Sequence, residues 1–142
     1  MIVLDTNVIS AVMAAQPDPA IVAWLDRQPP ASVWTTAVTI FEITDGIERL
    51  PAGRRRDRLT EAFQVWREDL LEGRILAFDT AAALAAGAIS AALRASGRPP
   101  DVRDVAIAGI VVSRRATLAT RNTRHFSGHC DTVNPWEPRD GS

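Results

Sequence analysis

The chain has 142 residues, 46% of them hydrophobic, and a formal net charge of −1. This is enough for one domain with a real core, and it excludes a polycation that grips nucleic acid through bulk charge. The single cysteine, Cys130, rules out an internal disulfide and suits a reducing cytoplasm, where the protein is expected.

Other exclusions follow from composition. All sixteen basic residues are arginine, with no lysine. Cys130, His125 and His129 match no zinc-ligand spacing. There is no basic leader and no uncharged apolar run of about 18 residues, so neither a signal peptide nor a membrane span is expected.

The chain opens with the apolar strand Met1-Ile2-Val3-Leu4, followed by Asp5-Thr6-Asn7. Val8, Ile9, Val12 and Met13 then recur at helical spacing. Asp5 therefore reads as an N-cap, or as a carboxylate delivered to the C-terminal edge of a sheet, where open parallel sheets bind ligands. Pro17-Asp18-Pro19 starts a second helix, with Ile21, Val22, Trp24 and Leu25 inward, and Pro29-Pro30 ends it. Ser32 to Thr35 has strand character. The segment from Thr36 to Leu50 reads as a helix carrying Val38, Phe41, Ile43 and Ile47.

After Pro51-Ala52-Gly53, a polar helix is predicted from about Arg54 to Leu71, with Leu59, Phe63, Trp66 and Leu70 on one side. Trp24, Trp34 and Trp66 are expected in core or interface. Ile75 to Phe78 is the third strand. Asp79 caps an alanine-rich helix to about Ser96, expected to bury Leu84, Ile89 and Leu93. Asp101 opens another helix, Thr117 to Thr120 is the fourth strand, and a fifth lies near Thr132-Val133. Alternating strands and helices predict an α/β fold with a mainly parallel sheet covered on both faces.

The chemistry lies in the acids. Glu42 sits in an otherwise apolar helical turn and, taken by itself, reads as solvent-facing. Asp104 stands three residues after Asp101, an ordinary N3 acid of a capping arrangement, and a helix N-terminus favours its ionised form. Asp5, Glu42 and Asp104 can nevertheless converge on one crevice. Ionised carboxylates gathered there repel one another unless a cation binds. An oxygen-only donor set favours Mg²⁺, with Mn²⁺ as substitute, over zinc. Such an ion can activate water and neutralise a phosphodiester.

Four segments carry a resemblance. They are Met1 to Ser10, Ala37 to Ile43, Asp104 to Ala108, and Leu118-Ala119-Thr120-Arg121-Asn122-Thr123-Arg124-His125-Phe126. In this order and spacing they resemble the PIN domain, and within it the VapC toxin ribonucleases of VapBC type II toxin–antitoxin pairs. The Asn134-Pro135-Trp136 ending is similar to the FitB-like branch.

The resemblance implies a single PIN domain over residues 1–136, with a short tail at 137–142. It implies a five-stranded parallel sheet flanked by helices and a Mg²⁺-dependent endoribonuclease that uses metal-activated water. The implied partners are RNA, a second copy in a homodimer, and a cognate VapB-type antitoxin, in dimers of heterodimers or larger assemblies. Asp5, Glu42 and Asp104 become the acidic, metal-holding core, with Thr6 and Thr120 as hydrogen-bonding supports.

Asn122 and His125 occupy the stretch where the family carries a further acid. Asn122 joins the catalytic set as a neutral ligand for water, which implies one tightly bound Mg²⁺. Arg121, Arg124 and His125 are candidates for RNA phosphate contact. The densest basic run, Arg54-Arg55-Arg56 with Arg58, reads as a solvated face. An apolar groove around the second helix and the Trp66 helix is the expected antitoxin dock.

Two other folds that gather acids at strand ends fit less well. A receiver domain uses a lysine near its acidic pocket, and this chain has none. A haloacid-dehalogenase-like phosphatase needs an acid two residues after its first aspartate, where Asn7 stands. An inactive PIN domain that binds RNA as a regulatory module remains the alternative.

Overall fold

The computed structural model describes residues 1–137; most of the expected tail lies outside the described residues. Five short strands form one parallel sheet: β1 (Ile2–Leu4), β2 (Val33–Thr36), β3 (Ile75–Leu76), β4 (Thr117–Ala119) and β5 (Asp131–Val133), in the spatial order β3-β2-β1-β4-β5. Among the described residues seven α-helices accompany them: α1 (Thr6–Met13), α2 (Pro19–Asp26), α3 (Ala37–Glu48), α4 (Arg54–Val65), α5 (Thr80–Ala95), α6 (Val102–Ser113) and the short α7 (Thr123–Phe126).

Strand periodicity divides the core in two. Along β1, Leu4 packs with Val8, Ile9, Ile21, Trp24, Ile43 and Phe63 on the face covered by α1 to α4. Val3, one residue earlier, joins Leu76, Ile107, Ile110, Val111 and Phe126 on the face covered by α5 to α7. Alternate residues of a strand point to opposite faces, and a parallel sheet buries both. Trp24 and Trp66 are buried in the first cluster, and Trp34 packs against the second.

Helix starts follow local chemistry. Asp18, Thr36, Asp79 and Asp101 each accept a backbone N–H through the side chain at an N-cap, at 3.0–3.1 Å. Each such cap stabilises by about 1 kcal/mol.

Several sequence expectations are corrected. Thr36 ends β2 and caps α3, so it is not part of the helix. Leu84 is 73% exposed, because α5 turns Ala82 and Ala86 toward α6 in a close contact that a leucine would not fit. Leu70 is 60% exposed: the helix containing Trp66 continues as a π-helical turn over Trp66–Leu70, which rotates Leu70 out of the predicted stripe. Phe41 faces outward and lies under the Arg103 guanidinium, 5.2 Å from its ring centre, within cation–π reach.

Candidate functional site

β1 has β2 on one side and β4 on the other: the chain steps outward from β1 through β2 to β3, then crosses back to β4 on the other side of β1. This is the switch point of the sheet, where a crevice opens beyond the strand C-termini. Asp5 stands directly after β1, and Thr120-Arg121-Asn122 follow β4. Glu42 enters from α3, the helix after β2. Asp104 enters from the first turn of α6, the helix before β4.

Asp5 is only 7% exposed and is held on both oxygens. The Thr6 backbone N–H donates to Oδ1 at 2.8 Å, and the Thr120 hydroxyl donates to Oδ2 at 2.7 Å. The Thr120 oxygen in turn accepts from Asn7 Nδ2 at 3.4 Å and from the Asn122 backbone N–H at 3.1 Å. One donated and two accepted bonds use the full capacity of this buried hydroxyl. The Thr6 hydroxyl donates to Glu42 Oε1 at 3.1 Å. Glu42 is half-buried and points into this polar pocket, which corrects its solvent-facing reading. The reason is tertiary: α1 brings Thr6 to the face of α3.

All three acids hold their protons more tightly than ordinary carboxylates. For Asp5, burial raises the pKa against the lowering effect of the Thr120 and Thr6 hydrogen bonds. For Glu42, burial acts first and the Thr6 hydrogen bond opposes it; the charges of Asp5 and Asp104 raise it further, while Arg103 lowers it. For Asp104, burial is followed by repulsion from Asp101 and Asp5, against a lowering effect of His125. The charge of Asp5 acts on both Glu42 and Asp104, and that of Asp104 on Glu42, so the three acids share one electrostatic neighbourhood.

Among the described residues, no three His, Cys, Asp or Glu side chains stand close enough to cage a cation alone. The acids thus share one edge without forming a closed cage. Their donor set is oxygen-only, the chemistry that suits a hard divalent cation.

The remaining predicted residues are spread along the rim. Asn122 occupies the N-cap position of α7, and Asn122 and His125 are both exposed. Arg124 is exposed as well. The Arg121 backbone N–H donates to Asn7 Oδ1 at 3.2 Å, and its guanidinium lies 4.3 Å from the ring centre of Trp136. The Trp136 indole N–H is fixed by Asp18 Oδ2 at 3.1 Å. The run Arg54 to Arg58 lies away from this edge, and Arg56 pairs with Glu48.

Sequence reasoning missed two contributors. Asn7 ties Asp5, Thr120 and Arg121 together, and its only signal was an amide two residues after an acid at a strand end. Thr39, fully buried, links the hydroxyls of Thr6 and Thr36 at 3.5 and 3.2 Å. The Thr36-x-x-Thr39 capping spacing was the available sign.

The Thr120 hydroxyl allows a direct test. Thr120→Val removes the donor to Asp5 and leaves the Asn122 backbone N–H without this acceptor, while Asn7 Nδ2 keeps its contact with Asp5 Oδ2. The RNA cleavage that the resemblance implies is expected to fall about tenfold or more, in line with the ~1–3 kcal/mol cost of removing one partner of a hydrogen bond. Thr120→Ser should restore most of it. Equal rates for the wild type and the valine variant would show that this bond does not matter.

A sequence model of the PIN domain matches residues 2–129. The chain is 37% identical over 139 residues to VapC ribonuclease Y4jK of Sinorhizobium fredii, covering 97% of this chain and 99% of that protein. It is 34% identical over 137 residues to toxin FitB of Neisseria gonorrhoeae, covering 96% and 99%. The crystal structure of FitAcB from Neisseria gonorrhoeae superposes with a TM-score of 0.87 at 34% identity, covering 97% of this chain and all of that one. No helix among the described residues is long and apolar enough to cross a membrane. Sheet order, acidic edge and similarity over nearly the whole length agree: the chain belongs to the PIN domain family, among VapC- and FitB-type proteins.

Proposed function

We propose that the chain is a Mg²⁺-dependent endoribonuclease and the toxin of a type II toxin–antitoxin pair. The observation that carries this reading is the edge shared by Asp5, Glu42 and Asp104, with Asp5 and Glu42 each fixed by a threonine hydroxyl. Similarity to a VapC ribonuclease and to toxin FitB supports it.

Asp5, Glu42 and Asp104 are the residues that would hold Mg²⁺. When bound, the ion supplies positive charge to the phosphodiester and makes water more acidic. The chain's own contribution is positioning. Thr120 and the Thr6 backbone N–H lock the Asp5 carboxylate in one orientation, and the Thr6 hydroxyl does the same for Glu42. Arg121 and Arg124 stand on the rim, where the RNA backbone would pass. Stacking on Trp136 limits the freedom of Arg121 and lowers the entropy lost when it meets a phosphate. Asn122 adds an amide without charge, so the site takes one Mg²⁺ tightly.

Calorimetric titration is expected to find one tight Mg²⁺ per chain. Affinity should weaken with falling pH well before 3.8 and 4.5, the ordinary values for aspartate and glutamate, because all three acids are shifted upward and protons compete with the ion. Two equally tight ions would overturn the single-ion reading.

The antitoxin's place is a groove of about 380 Å³ between α2 and the π-helical turn, lined by Val12, Leu25, Val33, Trp66 and Leu70. Its apolar lining suits the hydrophobic residues of a partner segment. The exposed Phe41, Leu84 and Val102 offer apolar area for a second copy of the chain.

The rival reading, a PIN domain that binds RNA without cutting it, rests on the missing acid in the Asn122–His125 stretch. Antitoxin-free protein incubated with total RNA decides between them. Discrete products with Mg²⁺, lost in EDTA and in Asp5→Ala, establish the nuclease. RNA retained but uncut under all three conditions establishes the binder.

A further inference from the structure

The crevice does not end at Asp104. Between α5, α6 and α7 it continues into a cleft of about 410 Å³, within the size range of small-ligand pockets. Asp104 and His125 belong to the lining of this cleft, so it is continuous with the acidic edge. Its floor is apolar, formed by Ile89, Leu93 and the almost fully buried Phe126. Its rim is polar, carrying Arg98, His129 and Asp101. Asp101 uses Oδ1 to cap α6, and its other oxygen has no hydrogen-bond partner among the described residues. Arg98 has no carboxylate partner among the described residues.

We propose that this cleft is a nucleobase subsite, taking one unstacked base of single-stranded RNA beside the phosphate cut at Asp5, Glu42 and Asp104. The proposal rests on the ribonuclease reading for the placement of that phosphate. The chemistry matches the occupant at each surface. Single-stranded RNA is recognised by splaying a base out, stacking it on aromatic rings or guanidinium planes, and bonding to its polar edge. The His129 ring and the Arg98 guanidinium are such planes. The free Asp101 oxygen accepts from an exocyclic amino group, as carboxylates do from cytosine. The apolar floor excludes water from the base's face. An acidic peptide would meet Asp101 and Asp104, and a purely aliphatic one would leave the charged rim unpaired.

The test is NMR on the intact, metal-free protein, with each of the four nucleoside 5′-monophosphates and with ribose 5-phosphate as the base-less control. Saturable shifts are expected at the Leu93 methyls and the His129 ring, strongest for a base with an amino group and absent with ribose 5-phosphate. Arg98→Ala, on the exposed surface, should weaken binding at least fivefold. Ile89→Trp, with its fold checked from the amide spectrum, should fill the cleft and abolish it. No shifts from any nucleotide, or equal shifts from ribose 5-phosphate, overturn the proposal. So does a result in which only a peptide moves these resonances. RNA cleavage by the same wild-type preparation is scored separately. Cleavage without nucleotide binding defeats the subsite alone, and nucleotide binding without cleavage defeats the ribonuclease reading alone.

Discussion

Asp5→Asn is expected to abolish RNA cleavage, by about a thousandfold or more, without unfolding the protein. That loss corresponds to at least ~4 kcal/mol of transition-state stabilisation. Asparagine is as good an N-cap as aspartate, so its amide oxygen keeps the bond from the Thr6 backbone N–H. The Thr120 oxygen already accepts from Asn7 and Asn122, so it takes the new amide's N–H only by giving up the longer bond from Asn7. What disappears is the negative charge.

The same substitution should raise the stability of the metal-free protein at neutral pH. Burial raises the pKa of Asp5 above its ordinary 3.8, so the folded state binds that proton more tightly than the unfolded chain. Stability from this group is then greatest below 3.8 and declines as pH rises through the shifted value. The melting advantage of Asp5→Asn should therefore appear at neutral pH and vanish in acid. Saturating Mg²⁺ should reverse the order, because only the wild type gains from binding. Thermal melts of both proteins, with and without Mg²⁺, read these changes together with the cleavage assay. Undiminished cleavage by Asp5→Asn would remove Asp5 from the chemistry.

The largest effect on stability is expected from Gly109→Ala. Gly109 lies in α6 where it meets α5. A Cβ there would stand 2.5 Å from the Ala82 carbonyl oxygen, 2.7 Å from Ala86 Cβ and 2.8 Å from the Ala86 backbone N. Two of those atoms belong to helix backbone and cannot rotate away. The helices would have to separate, opening the cluster that holds Ile107, Ile110 and Leu118. The expected loss is about 3 kcal/mol, the upper part of the usual overpacking range, measured by urea unfolding. Gly87→Ala is the matched control. Gly87 lies within α5 with nothing near its missing Cβ, so alanine there should gain about 0.5–1 kcal/mol from helix propensity. Equal stability of Gly109→Ala and wild type would mean that the two helices are not held this closely. Since α6 also carries Asp104, cleavage by Gly109→Ala should fall at temperatures the wild type tolerates.

Much of the fold was legible along the chain because its signals are local. An apolar run ending in Asp5, an aspartate before each of several helices, and glycine or proline between elements are read within a few residues. Five strands interleaved with helices then permit few arrangements. The family motif placed Asp5, Glu42 and Asp104 in one crevice, and the sheet order delivers all three to one edge.

What the tertiary structure alone decided concerns the direction and partners of side chains. Glu42 looks solvent-facing on its own helix, and it turns inward only because Thr6 of α1 meets it there. Leu84 and Leu70 sit on apolar stripes yet face outward. One is displaced by a small-residue helix contact and the other by an extra residue in a helical turn. Asn7 bonds across 113 and 114 residues of chain to Thr120 and Arg121. No local window contains such a pair. Periodicity records how often a residue returns to one face, whereas orientation depends on which distant element that face meets, and that is set when the chain packs.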